Sequence, residues 1–420
     1  MNTFNIDRSG LQPQLYHLSN GHPIYLFPDP SLEMVKIDFS FPAGTNFQDK
    51  LILSAAANTL FSEGTRSHSA MEIAEFLDFR GIILEKNNDE VMASVSVYVL
   101  KKYVAELLPL LKELFLEPAF LPEEFDVFIA KRKQVIQSNL QKTAYVARNL
   151  FYEQLFPAGH PYGRYALPED CDKLCVEDVR RFFNQRYDLS QAQMIVSGAC
   201  DESVLQCFET HFGSLPFKAE YKLDNVVPIL QSANTLPITE GIPSAVQSTL
   251  RIGRFLPFTW DSMDYAYFHI LNTILGGYFG SRLMANVRED KGYTYGIYSR
   301  TMMYSDSISF FVSTDVGAEV TQPALEEIYK EMQILATQPV AEDELEIVKQ
   351  FMMGDFLRSI DGIFERSERY KQMVAINVTE QFADNYFEAI RTVTPEILMS
   401  LAQRLFQPED MLQVVVGPQK

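Results

Sequence analysis

The chain has 420 residues, of which 47% are hydrophobic and 22% charged, with a formal net charge of −19. Such a composition suits an ordinary soluble protein of two or more domains that buries its cores without disulfide staples. The acidic balance argues against nucleic acid and against anionic membrane surfaces, and leaves neutral or basic peptides as partners.

In chain order, the start MNTFNIDRSG is polar and carries no apolar signal-like stretch, so the cytoplasm is the expected compartment. Val35 to Phe41 alternates as a half-buried strand. Ser69 to Arg80 reads as a helix, opened by the capping box Ser69-Ala-Met-Glu72 and stopped at Gly81. Residues 91–99 alternate again as a strand, 100–115 carry helical spacing of Leu and Val, and Glu123 to about Leu150 reads as one long helix. No run of 18 apolar residues occurs. The four cysteines (Cys171, Cys175, Cys200, Cys207) and six histidines lack paired metal spacing and read as isolated reduced thiols and scattered side chains.

The chain repeats itself. Segment 175–198 aligns on 394–417, matching Glu177 to Glu396, Tyr187 to Phe406 and Gly198 to Gly417 at a constant offset of 219. The same offset lays 87–99 on 306–318 and Glu123 on Glu342. The expectation is an α+β protein of two homologous domains, each an antiparallel-rich sheet packed with helices, over 1–220 and 237–420 with a linker at 221–236.

The most specific local pattern is Gly276 to Arg300, GGYFGSRLMANVREDKGYTYGIYSR. It resembles the C-terminal-domain signature of the insulinase-like (pitrilysin-type, inverted zincin) metallopeptidases, with the fold of mitochondrial-processing-peptidase-like metallohydrolases. In that family an Arg and a Tyr seven residues later face the substrate; the matching positions are Arg288 and Tyr295. Spacing alone also fits an ordinary salt-bridged arginine and a packed tyrosine. The helix begun at Ser281 would carry Arg288, Gly292 would turn the chain, and Tyr295 would sit on the next strand. A guanidinium and a phenol so placed can hydrogen-bond a peptide carbonyl or a developing oxyanion.

Active members of the family carry H-x-x-E-H before Gly-Thr, two zinc-binding histidines around a glutamate that serves as general base. The Gly-Thr pair stands here at Gly64-Thr65, which sets the motif on Ala55, Asn58 and Thr59. Ala55 has no donor atom, Asn58 cannot take a proton, and Thr59 is a poor zinc ligand. The family's third ligand is a glutamate on the later long helix, but 127–152 contains no Asp or Glu. Smaller echoes are 41–49 (FPAGTNFQD), the His160-Pro-Tyr-Gly163 turn, and Asn87-Asn88-Asp89-Glu90, which reads equally as a substrate-strand region or a polar hairpin turn.

The resemblance therefore implies a zinc-free subunit of a two-chain zinc peptidase. Zinc would sit on a partner subunit bearing H-x-x-E-H, and Arg288 and Tyr295 would hold the peptide substrate. The alternative is a scaffold or peptide-binding protein with no part in catalysis. Two copies of the chain would make an inert homodimer. A hydrolase using another site is disfavoured, because neither G-x-S-x-G nor a Cys with a convincing His partner is present.

Overall fold

The computed structural model describes residues 12–218, 236–304, 307–375 and 380–419. The opening segment and all of the expected linker except Leu236 lie outside these residues. Among the described residues no helix is long and apolar enough to cross a membrane.

The chain divides into two compact units, and among the described residues each carries one sheet. In the first, six strands run β1 (Gln14–His17), β2 (Pro23–Pro28), β3 (Met34–Phe41), β4 (Ile83–Asn88), β5 (Ala93–Leu100) and β6 (Gln193–Gly198), in the spatial order β1-β2-β6-β3-β5-β4. In the second, five strands run β7 (Ile238–Ile242), β8 (Gln247–Leu256), β9 (Ile297–Met303), β10 (Ile308–Gly317) and β11 (Leu412–Pro418), in the order β7-β11-β8-β10-β9. Apart from the extra β1, the two sheets share one plan. A parallel pair (β2 with β6, β7 with β11) is followed by antiparallel neighbours out to a free edge, β4 or β9.

The repeat explains the helices. Val176–Arg186 and Pro395–Leu405 correspond at the offset of 219, as do β6 and the start of β11. The compact units do not follow the expected halves 1–220 and 237–420 throughout. Residues 136–165 group with the second unit and 357–375 with the first. The long helix expected over 123–150 is two helices, Pro122–Asn139 and Thr143–Leu155, separated by a tight turn in which the Lys142 amide bonds to the Asn139 carbonyl. That break frees Thr143–Leu155 to cover β8 and β11 in the second unit. Its repeat partner, Ile363–Ala375, lies on β2 and β6 in the first unit. Each of these helices comes from one half of the sequence and completes the core of the unit built mainly by the other half.

Local signals account for most element ends. Ser69 caps its helix through the reciprocal box with Glu72, and Gly81 ends it at φ 62°. The strands β3 and β5 pair from Met34–Leu100 to Phe41–Ala93, so their alternating apolar residues share the helix-covered face.

The Ile363–Ala375 helix also carries buried charge onto the first sheet. Lys36 and Asp38 on β3 are both buried, and Lys36 Nζ lies 3.1 Å from Asp38 and 2.9 Å from Glu368. Lys371 closes the square at 3.0 Å from Asp38 and 2.7 Å from Glu368. Burial by itself lowers the Lys36 pKa, but the two carboxylates outweigh it and leave it raised.

Candidate functional site

The helix where the family's zinc motif falls is Leu53–Leu60. It starts from Ile52 at φ 75°, a left-handed conformation that costs a β-branched residue steric strain and is held here by burial of the side chain. Ser54 donates its hydroxyl to the Ala43 carbonyl at 2.5 Å and accepts from Asn88 at 3.0 Å, tying the helix start to β4.

None of the three motif positions offers a ligand. Ala55 has no donor. Asn58 is buried, and its Oδ1 accepts the phenol proton of Tyr187 at 3.0 Å. Burial holds the Tyr187 pKa well above the usual phenol value, so that proton stays in place. The Thr59 carbonyl accepts from Lys86 Nζ at 3.0 Å, and the same ammonium donates to Ser62 Oγ at 2.6 Å. A lysine thus caps the C-terminal end of this helix. Among the described residues no group of three or more His, Cys, Asp or Glu side chains is placed to hold a metal ion. The donor set at 55, 58 and 59 does not fit zinc, and no catalytic step is assigned to it.

Gly64-Thr65 acts as an anchor. Gly64 adopts φ 113°, and the Thr65 hydroxyl donates to Glu113 while accepting the amides of Ser67 and His68. His68 Nδ1 lies 3.1 Å from the same carboxylate. Burial pushes the Glu113 pKa up, but these donors more than reverse it and leave it lowered.

The second region is in the other unit. Two π-helical turns, Thr273–Gly277 and Met284–Asp290, flank the loop at Tyr278–Gly280, whereas a regular helix from Ser281 was expected. Such turns cost backbone geometry and recur at functional positions. Gly276 is required because a Cβ there would stand 2.7 Å from the backbone nitrogen of Ser299. The helix is held by Arg282, which forks onto Glu344 at 2.9 and 2.7 Å, and by Asn286, which donates to Glu327 and Glu331 at 2.8 and 2.6 Å.

Arg288 lies in the second π-turn. Its Nε donates to the main-chain carbonyl of Tyr295 at 3.0 Å, and its guanidinium sits 4.9 Å from the centre of the Phe279 ring. Gly292 makes the turn at φ 65°. Tyr295 lies two residues before β9 and not on it, with its side chain open to solvent at 96% exposure. Thr294 locks this approach. Its hydroxyl donates to the carbonyl of Asp315 at 2.7 Å, lies 2.9 Å from that of Gly296, and accepts from Thr314 at 2.9 Å. Arg288, Tyr295, Thr294, Asp315 and Gln247 line a cleft of about 620 Å³. The structure therefore brings Arg288 and Tyr295 together and leaves the phenol free to meet a ligand. Thr294, Asp315 and Phe279 escaped the sequence reading, because their roles arise from cross-strand and loop contacts.

Comparisons with known proteins find similarity to peptidase M16 proteins. Residues 173–352 match the peptidase M16 inactive domain. A Bacillus subtilis (strain 168) protein called an uncharacterized zinc protease, YmxG, is 24% identical over 415 residues, 96% of this chain and 98% of that one. A Helicobacter pylori protein called a non-peptidase homolog is 24% identical over 341 residues, 79% of this chain and 77% of that one. The crystal structure of a peptidase M16 inactive domain from Pseudomonas fluorescens superposes with a TM-score of 0.84 at 19% identity, over 97% of this chain and 98% of that one. Together these matches support an insulinase-like inactive family member with the two-domain α+β fold.

Proposed function

From the premise that this chain is an insulinase-like family member of the inactive kind, we propose that it is the zinc-free subunit of a two-chain peptidase, holding peptide substrate for a partner that carries H-x-x-E-H and the zinc. The carrying observation is the pairing of an emptied motif at Ala55, Asn58 and Thr59 with an intact Arg288–Tyr295 arrangement.

In this reading the chain supplies hydrogen bonds and position. Arg288 spends Nε on the Tyr295 carbonyl, so its terminal nitrogens and the Tyr295 hydroxyl serve the scissile carbonyl and the oxyanion that forms from it. The free edge of β4 accepts an extended peptide as an added strand, supported by its outermost place in the sheet. The compartment proposed is the cytoplasm, supported by four unpaired cysteines.

A second reading has its own observation. The stacking of Arg288 on Phe279 and its bond to the Tyr295 carbonyl also shape the loop itself, which suits a peptide-binding scaffold without a catalytic role. Cleavage of a quenched fluorescent peptide by the two-chain complex separates them. Loss of turnover in Arg288→Ala with the complex intact supports the first, and unchanged turnover supports the second.

A further inference from the structure

Beyond the cleft, the face of the second sheet carries cations without counter-ions. Arg251 on β8 is only 6% exposed, yet among the described residues no carboxylate pairs with it. Its guanidinium stacks 3.8 Å from the centre of the Phe311 ring and 5.0 Å from that of Tyr152, and Nη2 donates to the Tyr152 hydroxyl at 3.1 Å. Its Nε is buried with no hydrogen-bond partner.

The neighbours deepen the imbalance. Ser313 on β10 stands opposite both Arg251 and Tyr298, so the three share one face of the sheet. Arg300 stacks on the Tyr298 ring at 4.8 Å, and Arg148 on Tyr145 at 5.4 Å. Neither Arg148 nor Arg300 meets a carboxylate among the described residues. Burial lowers the Arg251 pKa, tyrosines 152, 298 and 304 raise it in part, and Arg148 lowers it further. An isolated buried cation is expensive, and a chain of net charge −19 has acidic residues to spare for neutralising it.

We propose that Arg251, with Arg148 and Tyr298, forms a subsite for a carboxylate of the bound peptide. The ligand reaches it by way of Tyr298, 40% exposed, and Arg148, which is also exposed. Guanidinium is the group that best matches a carboxylate, and the tyrosine hydroxyls add neutral donors. The proposal rests on the peptide-holding reading and names the chemistry of the ligand that reading requires. The carboxylate comes from the peptide's C-terminus or from an acidic side chain.

The test is binding, read by fluorescence anisotropy, of an otherwise uncharged ten-residue peptide in three forms: free C-terminal carboxylate, C-terminal amide, and amide with one internal Glu. The expected result is that a carboxylate form binds roughly tenfold tighter than the plain amide, the size of a charge-assisted hydrogen bond. The tighter form identifies which carboxylate is used. In Arg251→Met the gap closes to within about twofold, with an unchanged or raised Tm, because an uncompensated charge has been removed. Should Arg251→Met fail to fold, Arg148→Gln must narrow the gap. Equal binding of all three forms, or a gap that survives both substitutions, overturns the proposal. Displacement of the peptide by inorganic phosphate at lower concentration than acetate would assign the subsite to free phosphate and overturn it too. Arg288→Ala weakens every form alike and leaves the gap, which separates this subsite from the Arg288 reading. Binding of no form sinks both.

Discussion

Arg288 reaches Tyr295 through the main chain: its Nε donates to the Tyr295 carbonyl at 3.0 Å, while the phenol stays in solvent. The two residues are thus coupled without using the Tyr295 hydroxyl, and of the Arg288 terminal nitrogens Nη1 lies 3.6 Å from Glu289. Arg288→Ala removes the donor and releases the turn, so kcat/KM of the two-chain complex should fall about 100-fold or more, as for loss of an oxyanion donor. Tyr295→Phe removes only a hydroxyl and should cost about tenfold. Arg288→Lys should resemble Arg288→Ala, since an ammonium cannot hold the carbonyl and still fork onto a ligand. Steady-state kinetics on all three, with Tm as the folding control, checks the order.

Asn58, at the position that the resemblance gives to a general base, makes a structural contact with Tyr187. Asn58→Ala leaves the buried Tyr187 hydroxyl without an acceptor and should lower stability by about 1–3 kcal/mol in urea unfolding. The double variant Asn58→Ala with Tyr187→Phe should recover much of that loss. No recovery would show that Asn58 matters by packing alone.

The square of buried Lys36 and Asp38 with half-buried Glu368 and Lys371 fixes the Ile363–Ala375 helix to the first sheet. Lys371→Met strips one of the two cations from buried Asp38 and should destabilise the protein by about 3–5 kcal/mol. Replacing all four residues by apolar ones should cost far less than that single change, because no charge is then left unpaired. Chemical denaturation of both variants measures the difference.

His269 is buried against Tyr265 and Tyr386, and burial pushes its pKa down to about 4. The folded state therefore binds a proton less readily than the unfolded chain, whose histidine titrates near 6.5. The stability linked to this group is fully present above about pH 6.5 and is lost as pH falls towards about 4, amounting to about 3 kcal/mol. His269→Phe should flatten that limb of the stability–pH curve and leave the neutral-pH value nearly unchanged.

Sequence carried the local and the repeated parts of this fold. The Ser69–Glu72 box, the alternation of 35–41 and the offset between Val176–Arg186 and Pro395–Leu405 are written in adjacent or matching residues. The break at residues 140–142 was hidden, because helical spacing continues across it and only the second sheet decides where Thr143–Leu155 packs. The same holds for the site. The motif singles out Arg288 and Tyr295, and the structure makes them neighbours. The lysine cap on Thr59, the π-turns and the unpaired Arg251 depend on residues distant in the chain.

The proposed division of labour depends on where zinc resides and which chain cleaves. Zinc content of the purified chain should be measured together with peptide cleavage, first alone and then with a co-purified H-x-x-E-H subunit. The expected result is no bound zinc, no cleavage alone, and chelator-sensitive cleavage by the mixture that Arg288→Ala abolishes. Stoichiometric zinc with cleavage by the chain alone would contradict it.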